Sequence, residues 1–345
     1  MQKRPLGMSD LQVSSLCLGT MTWGEQNTET EAHQQMDMAV AEGINFFDVA
    51  EMYPVPPKPE TQGLTERYIG TWFAKTGKRN DIILATKVAG PADWLSYIRN
   101  GPDLNREHIE AAVDASLERL QTDYIDLYQI HWPARATNFF GQLGYTHQPE
   151  KDGTPLEETL AVMADLIKQG KIRHYGLSNE TPWGTMKAIQ MADQNGWPRP
   201  VSVQNPYNLL NRTYEVGMAE VSLREQCGLL AYSPLAFGVL SGKYLNGARP
   251  PKARMTLFER FTRYTTEAAE IATGQYVEVA KEFGISPTTL ALSFVTQQPF
   301  VTSNIIGATT LEQLEENLAS ARLVLSDDIV ERINAVHNAN SNPCP

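Results

Sequence analysis

Four side chains that could take part in acid–base chemistry stand at or just beyond the ends of apolar segments. Asp48 lies near the end of INFFDVA (44–50) with Tyr53 just beyond it, Lys87 ends DIILATK (81–87), and His131 ends YIDLYQIH (124–131). If the segments are consecutive parallel strands, the four side chains meet at one mouth of a barrel. A carboxylate, a phenol, an ammonium and an imidazole together suit a site that protonates a carbonyl oxygen as the carbonyl is reduced.

Each of the four residue types has a distinct part in such chemistry. Tyr53 can donate a hydrogen bond and then a proton, but the pKa of a free phenol, about 10, is high for easy transfer. A nearby Lys87 ammonium would lower that pKa, and Asp48 would supply the counter-charge that a partly buried lysine needs. His131 can share a hydrogen bond with the substrate oxygen and orient it. Taken singly, each has a structural explanation, such as an ion pair or a core histidine, and only their combination favours catalysis.

Composition restricts the class of protein. The chain has 345 residues, 42% of them hydrophobic and 20% charged, which is typical of one large globular barrel. The net charge of −11 argues against nucleic acid or an anionic membrane as a partner. Three cysteines without CxxC spacing favour a reducing compartment, and no signal peptide or spanning apolar run is present, so we expect a cytoplasmic protein. Of the histidines only His131 is placed to be a ligand, so no metal site is expected.

Eight short β-rich runs alternate with longer segments of helical periodicity. The runs are at 15–20, 44–50, 81–87, 124–132, 174–179, 201–208, 228–235 and 300–308, and the helical segments at 30–42, 64–76, 106–120, 156–169, 182–195, 213–226, 266–283 with 287–297, and 310–321. Near-continuous apolar character indicates strands buried on both faces of a parallel sheet. The pattern predicts an α/β fold, a (β/α)8 TIM barrel. The alternative, a doubly wound open sheet, would usually carry GxGxxG after its first strand, and this motif is absent.

We therefore expect one domain over residues 1–345. Residues 1–14 alternate around a turn and predict an N-terminal β-hairpin that could close the barrel floor. Residues 335–345 are expected to be a tail, loosely ordered from 337 onward, with an exposed thiol at Cys344. Three long loops are predicted to follow strands on the active-site face, where they would be lids or specificity walls; they are 54–63, 133–155 and 242–266.

Motifs in order and spacing over nearly the whole chain resemble the aldo-keto reductase superfamily. They are LGTMTWGE, INFFDVAEMY, LATK, DYIDLYQIHWP, GKIRHYGLSN, VQNPYNLLNR, LLAYSPLAFGVLSGKY and IIGATTLEQLEENL. The stretch AEMYPVPPKPETQGLTE resembles the Tas-type bacterial reductases, which are related to the β-subunits of voltage-gated potassium channels. The resemblance implies that Asp48, Tyr53, Lys87 and His131 form a catalytic tetrad, with Tyr53 as the general acid.

The resemblance also implies that NADPH (NADP+) lies extended across the barrel mouth. The positions that match cofactor-binding residues are Thr20, Met21, Asp48, Ser178, Asn179, Gln204, Tyr232, Ser233, Leu235, Ala236, Lys243, Arg254, Gly307, Thr309, Gln313, Glu316 and Asn317. Phosphate binding commonly occurs on the loops after strands seven and eight of such barrels, and Lys243 and Arg254 would favour a 2′-phosphate. One departure weakens strict NADPH specificity: many family members place a Lys or Arg directly after the last strand, where this chain has Gly307-Ala308-Thr309-Thr310.

The predicted function is NADPH-dependent reduction of aldehydes, with ketones as a second substrate class. Trp23, Tyr53 and Trp132, with loop aromatics near Phe139, would give an apolar-walled substrate pocket. The alternative is a regulatory protein that binds NADPH and a partner chain and reports redox state, with weak reductase activity. The channel β-subunits make this alternative worth stating, but they lack the tetrad histidine that this chain has as His131. A lyase or isomerase on the same barrel is less compatible with the cofactor-like residues. The oligomeric state stays open.

Overall fold

A computed structural model describes residues 1–142 and 144–344; Leu143, in the loop 133–155, and Pro345, in the tail, lie outside the described residues. Two short strands precede eight parallel strands that close into a barrel in the order β10-β3-β4-β5-β6-β7-β8-β9. The strands are β1 Lys3–Pro5, β2 Gln12–Ser14, β3 Leu16–Gly19, β4 Phe46–Asp48, β5 Ile83–Val88, β6 Ile125–Ile130, β7 Ile172–Ser178, β8 Ser202–Pro206, β9 Gly228–Tyr232 and β10 Val301–Ile306.

Closure of the sheet excludes the open, doubly wound alternative. The last strand, β10, pairs with both β3 and β9, so that Asn304 lies opposite Leu16 on one side and Ala231 on the other. Each barrel strand overlaps one of the eight apolar runs, which confirms the prediction of a (β/α)8 barrel. Most strand residues are buried, as expected for a sheet covered by helices outside and filled by side chains inside.

The predicted helical segments are all helices, and several begin at a capping side chain. The helices are α1 Glu29–Ala41, α2 Leu64–Thr76, α3 Arg106–Leu120, α4 Leu156–Lys168, α5 Pro182–Asn195, α6 Tyr214–Arg224, α7 Arg254–Leu257, α8 Glu267–Glu282, α9 Pro287–Thr296, α10 Leu311–Ala319 and α11 Asp327–Ala339. The side chains of Asn105, Ser286 and Thr310 accept hydrogen bonds from backbone N–H groups of the first turns of α3, α9 and α10. The sequence patterns did not predict α7 or α11.

The N-terminal hairpin closes the floor of the barrel, as predicted. Strands β1 and β2 pair antiparallel, with Arg4 opposite Val13. Leu6 and Val13 are fully buried and pack in one cluster with residues of the barrel interior, among them Phe46 and Leu127. The opposite end of the barrel is left for the site.

The prediction of a loosely ordered tail with an exposed thiol is wrong. Helix α11 continues to Ala339, because Ile329 and Ile333 on one face are buried against the rest of the protein. Beyond it, the Asn342 side chain accepts a hydrogen bond from the Arg212 backbone (2.7 Å), and the Cys344 backbone donates to Leu210 O (3.1 Å). Cys344 is only 1% exposed. These backbone contacts bind the chain end to the loop after β8.

All three cysteines are buried, and none forms a disulfide with a described residue. Among the described residues, no helix is both long and apolar enough to cross a bilayer.

Candidate active site

The predicted tetrad meets at the C-terminal mouth of the barrel. Asp48 is the last residue of β4, Lys87 is the penultimate residue of β5, and His131 directly follows β6. Tyr53 lies in the loop after β4, close to the other three. Because β4, β5 and β6 are neighbours in the sheet, side chains separated by up to about eighty positions in sequence line one small region.

Lys87 and Asp48 form a fully buried ion pair at the base of this region. Lys87 Nζ donates to Asp48 Oδ2 and to the Val49 carbonyl, both at 2.7 Å, and the Lys87 side chain is 0% exposed. The other carboxylate oxygen, Oδ1, accepts from Gln204 Nε2 (2.8 Å) and Gln129 Nε2 (3.1 Å). Burial lowers the pKa of Lys87, but Asp48 and Tyr53 outweigh burial, and the net pKa is raised above its ordinary value. Lys87 therefore stays an ammonium at neutral pH.

Tyr53 stands above the ammonium on a loop that is held by backbone hydrogen bonds. Lys87 Nζ is 4.9 Å from the centroid of the Tyr53 ring. The backbone N–H of Tyr53 donates to Ala50 O (3.0 Å), and its carbonyl accepts from the Gly63 N–H (2.9 Å). Burial raises the pKa of Tyr53, and Lys87 lowers it by less. The contribution of Lys87 thus has the expected sign, but the net pKa lies above that of a free phenol, which keeps the hydroxyl protonated.

His131 presents a neutral imidazole to the same region. Its ring centroid is 6.0 Å from that of Tyr53, and the residue is 7% exposed. Burial, with a smaller contribution from Lys87, holds the pKa of His131 well below its usual range. Nδ1 is buried without a hydrogen-bond partner among the described residues. A buried polar atom of this kind is available for a ligand or a water molecule.

A second buried ion pair, which the sequence analysis did not identify, supports the loop of Tyr53. Glu51 is 1% exposed, and its carboxylate accepts two hydrogen bonds from the guanidinium of Arg99, at 2.6 and 2.8 Å. It also accepts from the Ala89 N–H (2.8 Å), and the Glu51 carbonyl accepts from Gln62 Nε2 (2.7 Å). Two parallel charge-assisted bonds fix geometry as well as adding energy. Glu51 thus fixes the backbone two residues before Tyr53 relative to the end of β5.

One cavity of about 1110 Å³ occupies the mouth and collects nearly all of the predicted site residues. Tyr53, His131 and Trp132 line it, as does every predicted cofactor residue except Ala236, which is fully buried. Lys87 lies beneath the cavity wall. Trp23, predicted for the substrate pocket, is instead a 0% exposed core residue whose indole N–H donates to Gln35 (3.0 Å). Its aromatic character indicated packing, not a pocket.

The polar residues at the ends of β7, β8 and β9 form one hydrogen-bonded wall of the cavity. The Tyr232 hydroxyl donates to Asn179 Oδ1 (2.6 Å), and Asn179 Nδ2 donates to His131 O (2.8 Å). Ser178 Oγ donates to Gln204 O (2.9 Å), while the Gln204 amide reaches Asp48. Asn179 has a positive φ of 52°, a conformation that asparagine tolerates better than most residues. The wall carries fixed amide and hydroxyl groups that could bind a carboxamide beside the tetrad.

The part of the cavity lined by Lys243 and Arg254 is suited to phosphate groups. Burial and the nearby Arg254 lower the pKa of Lys243, and burial lowers the pKa of Arg254. No described carboxylate affects the pKa of either side chain. Opposite them, Gly307 has open space where a side chain would project, ahead of the N-terminus of α10. Two cations without an anionic partner, near a helix N-terminus, fit the phosphates of a dinucleotide. Glu316 and Asn317 also line the cavity here, with Asn317 Nδ2 donating to Gly307 O (3.1 Å).

Among the residues that line the cavity, Phe140 belongs to the predicted loop aromatics near Phe139, and several others had no signal in the sequence. The Trp94 ring stacks on Trp132 at 5.7 Å, and Phe140 makes an edge contact with Trp132 at 5.6 Å. Arg260 and Arg263 approach from the loop 242–266, and Cys344 from the C-terminus. Each belongs to an irregular segment, so periodicity could not place it. Among the described residues, no group of three or more His, Cys, Asp or Glu side chains could hold a metal ion.

The closed parallel barrel and the tetrad at its mouth define an oxidoreductase of the aldo-keto reductase class. Residues 15–338 match the family model described as the aldo/keto reductase family, and the chain belongs to this family. It is 53% identical to "Protein tas" of Escherichia coli (strain K12), with all of both chains covered. It is 34% identical to "Uncharacterized oxidoreductase YrpG" of Bacillus subtilis (strain 168), covering 96% of this chain and 94% of the relative. It is also 31% identical to a "Probable voltage-gated potassium channel subunit beta" of Arabidopsis thaliana, covering 97% and 96%.

Proposed function

We propose that this protein reduces aldehydes, and ketones as a second substrate class, with NADPH as the cofactor. The observation that carries the proposal is that Tyr53, His131 and the Lys87–Asp48 pair share one cavity with Lys243 and Arg254, two cations without a described anionic partner. When bound, NADPH supplies a hydride to the carbonyl carbon. The protein is proposed to act in the cytoplasm on a small-molecule substrate.

The residues of the chain bind the carbonyl and supply the proton. Tyr53 and His131 both face the space in which the carbonyl oxygen would lie, and both can donate a hydrogen bond to it. As negative charge develops on that oxygen, the Tyr53 hydroxyl transfers its proton, and the ammonium of Lys87 stabilises the phenolate that remains. Asp48 holds the ammonium in place beneath the ring. Because His131 is neutral, it does not repel the Lys87 ammonium. His131 and the Tyr53–Lys87 pair can therefore act on the same carbonyl oxygen.

The proposed cofactor residues would hold NADPH along the cavity in an extended form. Ser178, Asn179 and Gln204 are proposed to bind the carboxamide, with Tyr232 packing on the nicotinamide ring. Lys243 and Arg254 are proposed to bind the phosphates. A lysine with few competing partners can discriminate in favour of the 2′-phosphate even though no basic residue directly follows β10.

The Tyr53→Phe variant tests the proposal. It removes one hydroxyl, so turnover of an aldehyde with NADPH should fall by at least about 100-fold, while the quenching of tryptophan fluorescence by NADPH should be retained. Tyr145→Phe is the matched control, because Tyr145 is 61% exposed and should leave turnover unchanged. Unchanged reductase activity in Tyr53→Phe would refute the assignment of the acid, and absence of NADPH binding in the unaltered protein would refute the cofactor.

A second candidate function is an NADPH-binding regulatory partner with weak reductase activity. The relative named as a potassium channel subunit favours it, since that protein shares 31% identity along nearly its whole length. The two candidates differ in turnover. An aldehyde reductase should turn over a good substrate at about 1 s⁻¹ or faster, whereas a regulatory protein should bind NADPH tightly and oxidise it much more slowly.

A further inference from the structure

The cavity has a second end, and its chemistry differs from that of the cofactor-like end. Beyond His131, the wall is built by aromatic rings on the loops after β5 and β6. The ring centroids of His131 and Trp132 are 4.8 Å apart, and those of Trp132 and Phe140 are 5.6 Å apart. Trp94 stacks on Trp132 from the other side. The loops after β5 and β6 lie across the barrel from β9 and β10, the strands that lead to Lys243 and Gly307.

Positive charge reaches this aromatic end from across the mouth. The guanidinium carbon of Arg263 is 6.0 Å from the ring centroid of Phe140 and 6.0 Å from that of Tyr264. Arg260 lies near Tyr97 in the loop after β5. Burial raises the pKa of Tyr97, and the charge of Arg260 lowers it by less. Both arginines line the cavity, and both belong to the segment that follows β9.

Arg263, like Arg254, has no described carboxylate as a partner, in contrast to two other arginines near the mouth. Arg99 is paired with Glu51, and Arg135 is paired with Glu180, with Arg135 Nη1 donating at 2.9 Å. Burial lowers the pKa of Arg263, but the hydroxyls of Tyr232 and Tyr264 outweigh burial, and the net pKa is raised above its ordinary value. A partly buried guanidinium among rings and hydroxyls retains donors for an oxyanion, which it can bind through two parallel hydrogen bonds.

We propose that the substrate carries an oxyanion group, a carboxylate or a phosphate monoester, in addition to the carbonyl that is reduced. This rests on the proposed reductase function. With the carbonyl at Tyr53 and His131, an apolar body about the size of one aromatic ring lies against Trp132 and Phe140, and Arg263 binds the anion. Arg260, at the more exposed edge, adds long-range attraction for the same charge.

Matched substrates that differ only in charge test this proposal. The first pair is 4-carboxybenzaldehyde and its methyl ester, and the second is 4-formylphenyl phosphate and 4-methoxybenzaldehyde, each with saturating NADPH. For one of the anions, kcat/KM should exceed that of its neutral partner by about 10- to 100-fold, the factor expected for a hydrogen bond to a charged group. The pair with the larger ratio distinguishes a carboxylate from a phosphate.

Variants of Arg263 then test whether this residue causes the preference for the anionic aldehyde. Arg263→Met should lower the ratio of kcat/KM for the anionic aldehyde to kcat/KM for its neutral partner to about one. It should leave kcat/KM for the neutral aldehyde and the affinity for NADPH unchanged. Arg263→Lys should retain part of the preference for the anion. Arg332→Met is the control, since Arg332 pairs with Glu282 on the outer surface. If Arg263→Met does not fold, the lysine variant alone still tests the proposal, because a ratio equal to that of the unaltered protein would contradict bidentate binding.

The outcomes separate this proposal from the reductase function. Reduction of charged and neutral aldehydes with equal kcat/KM would overturn the anion site and leave the reductase function standing. An equal loss for both members of a pair in Arg263→Met, or weaker NADPH binding, would mean that Arg263 acts on Tyr232 or the cofactor, and would also overturn the anion site. No reduction of any of the four compounds would count against the reductase function itself, and with it against this inference.

Discussion

The buried pair of Lys87 and Asp48 makes a prediction that separates its structural role from its catalytic one. Lys87→Met removes the ammonium but keeps the length of the side chain, and it leaves the Asp48 carboxylate with the amides of Gln129 and Gln204 as its remaining side-chain donors. Both members of the pair are nearly inaccessible to solvent, at 0% and 4% side-chain exposure. Breaking such a pair typically costs about 3–5 kcal/mol. Against a total free energy of unfolding of about 5–15 kcal/mol, this loss is large enough to measure.

The double variant Asp48→Asn with Lys87→Met is the matched comparison. It carries no unpaired charge, and the asparagine carbonyl can still accept from both glutamine amides. Replacing a buried ion pair by neutral groups is often close to neutral for stability, so the double variant should recover at least about 2 kcal/mol relative to Lys87→Met. Neither variant should reduce aldehydes, because both lack the ammonium beside Tyr53.

Urea unfolding followed by tryptophan fluorescence measures both free energies. A protonated carboxyl carries no charge, so the deficit of Lys87→Met should be smaller at about pH 5 than at about pH 8. Equal stability of Lys87→Met and the unaltered protein would refute the reasoning, since it would mean that the carboxylate needs no cation. A double variant less stable than Lys87→Met would refute it as well. Reductase activity in the stable double variant would show that the pair is structural only.

Three further predictions follow from the site. His131 stays neutral in the folded protein but binds a proton below about pH 6.5 when unfolded. The free energy of unfolding should therefore fall by up to about 1.4 kcal/mol per pH unit below that value. In urea titrations at several pH values, His131→Gln should remove this part of the slope. Glu51→Gln leaves an acceptor for Ala89 but loses the charge opposite Arg99, so kcat should fall by up to about 100-fold through misplacement of the loop, while NADPH affinity measured by fluorescence should be retained. Lys243→Met should raise the KM for NADPH by about 10-fold or more and leave that for NADH nearly unchanged, which steady-state kinetics with both cofactors would check.

The regular elements were predictable from the sequence, because their signals are local. Each barrel strand is a short apolar run, and each predicted helix has a buried stripe that repeats with the helical period. Helix α11 was not predicted, although Ile329 and Ile333 have helical spacing, and residues 335–339 of the expected tail are its C-terminal end. The burial of Cys344 could not be inferred, since it depends on backbone hydrogen bonds to residues more than 100 positions away.

Chemistry was more predictable at strand ends than on loops, and the reason is geometric. A residue at the carboxyl end of a barrel strand must point into the mouth whatever the loops do, so Asp48, Lys87 and His131 could be assigned from strand position alone. Arg263 lies in an irregular segment, and its proximity to Phe140 depends on the path of two loops from opposite sides of the barrel. Apart from Tyr53, which lies in the loop after β4, the tetrad residues proposed to serve the reaction are thus fixed by the strands, whereas the parts proposed to select the substrate are set by loops. Substitutions in the loop 242–266 should therefore change which aldehyde is reduced before they change whether reduction occurs.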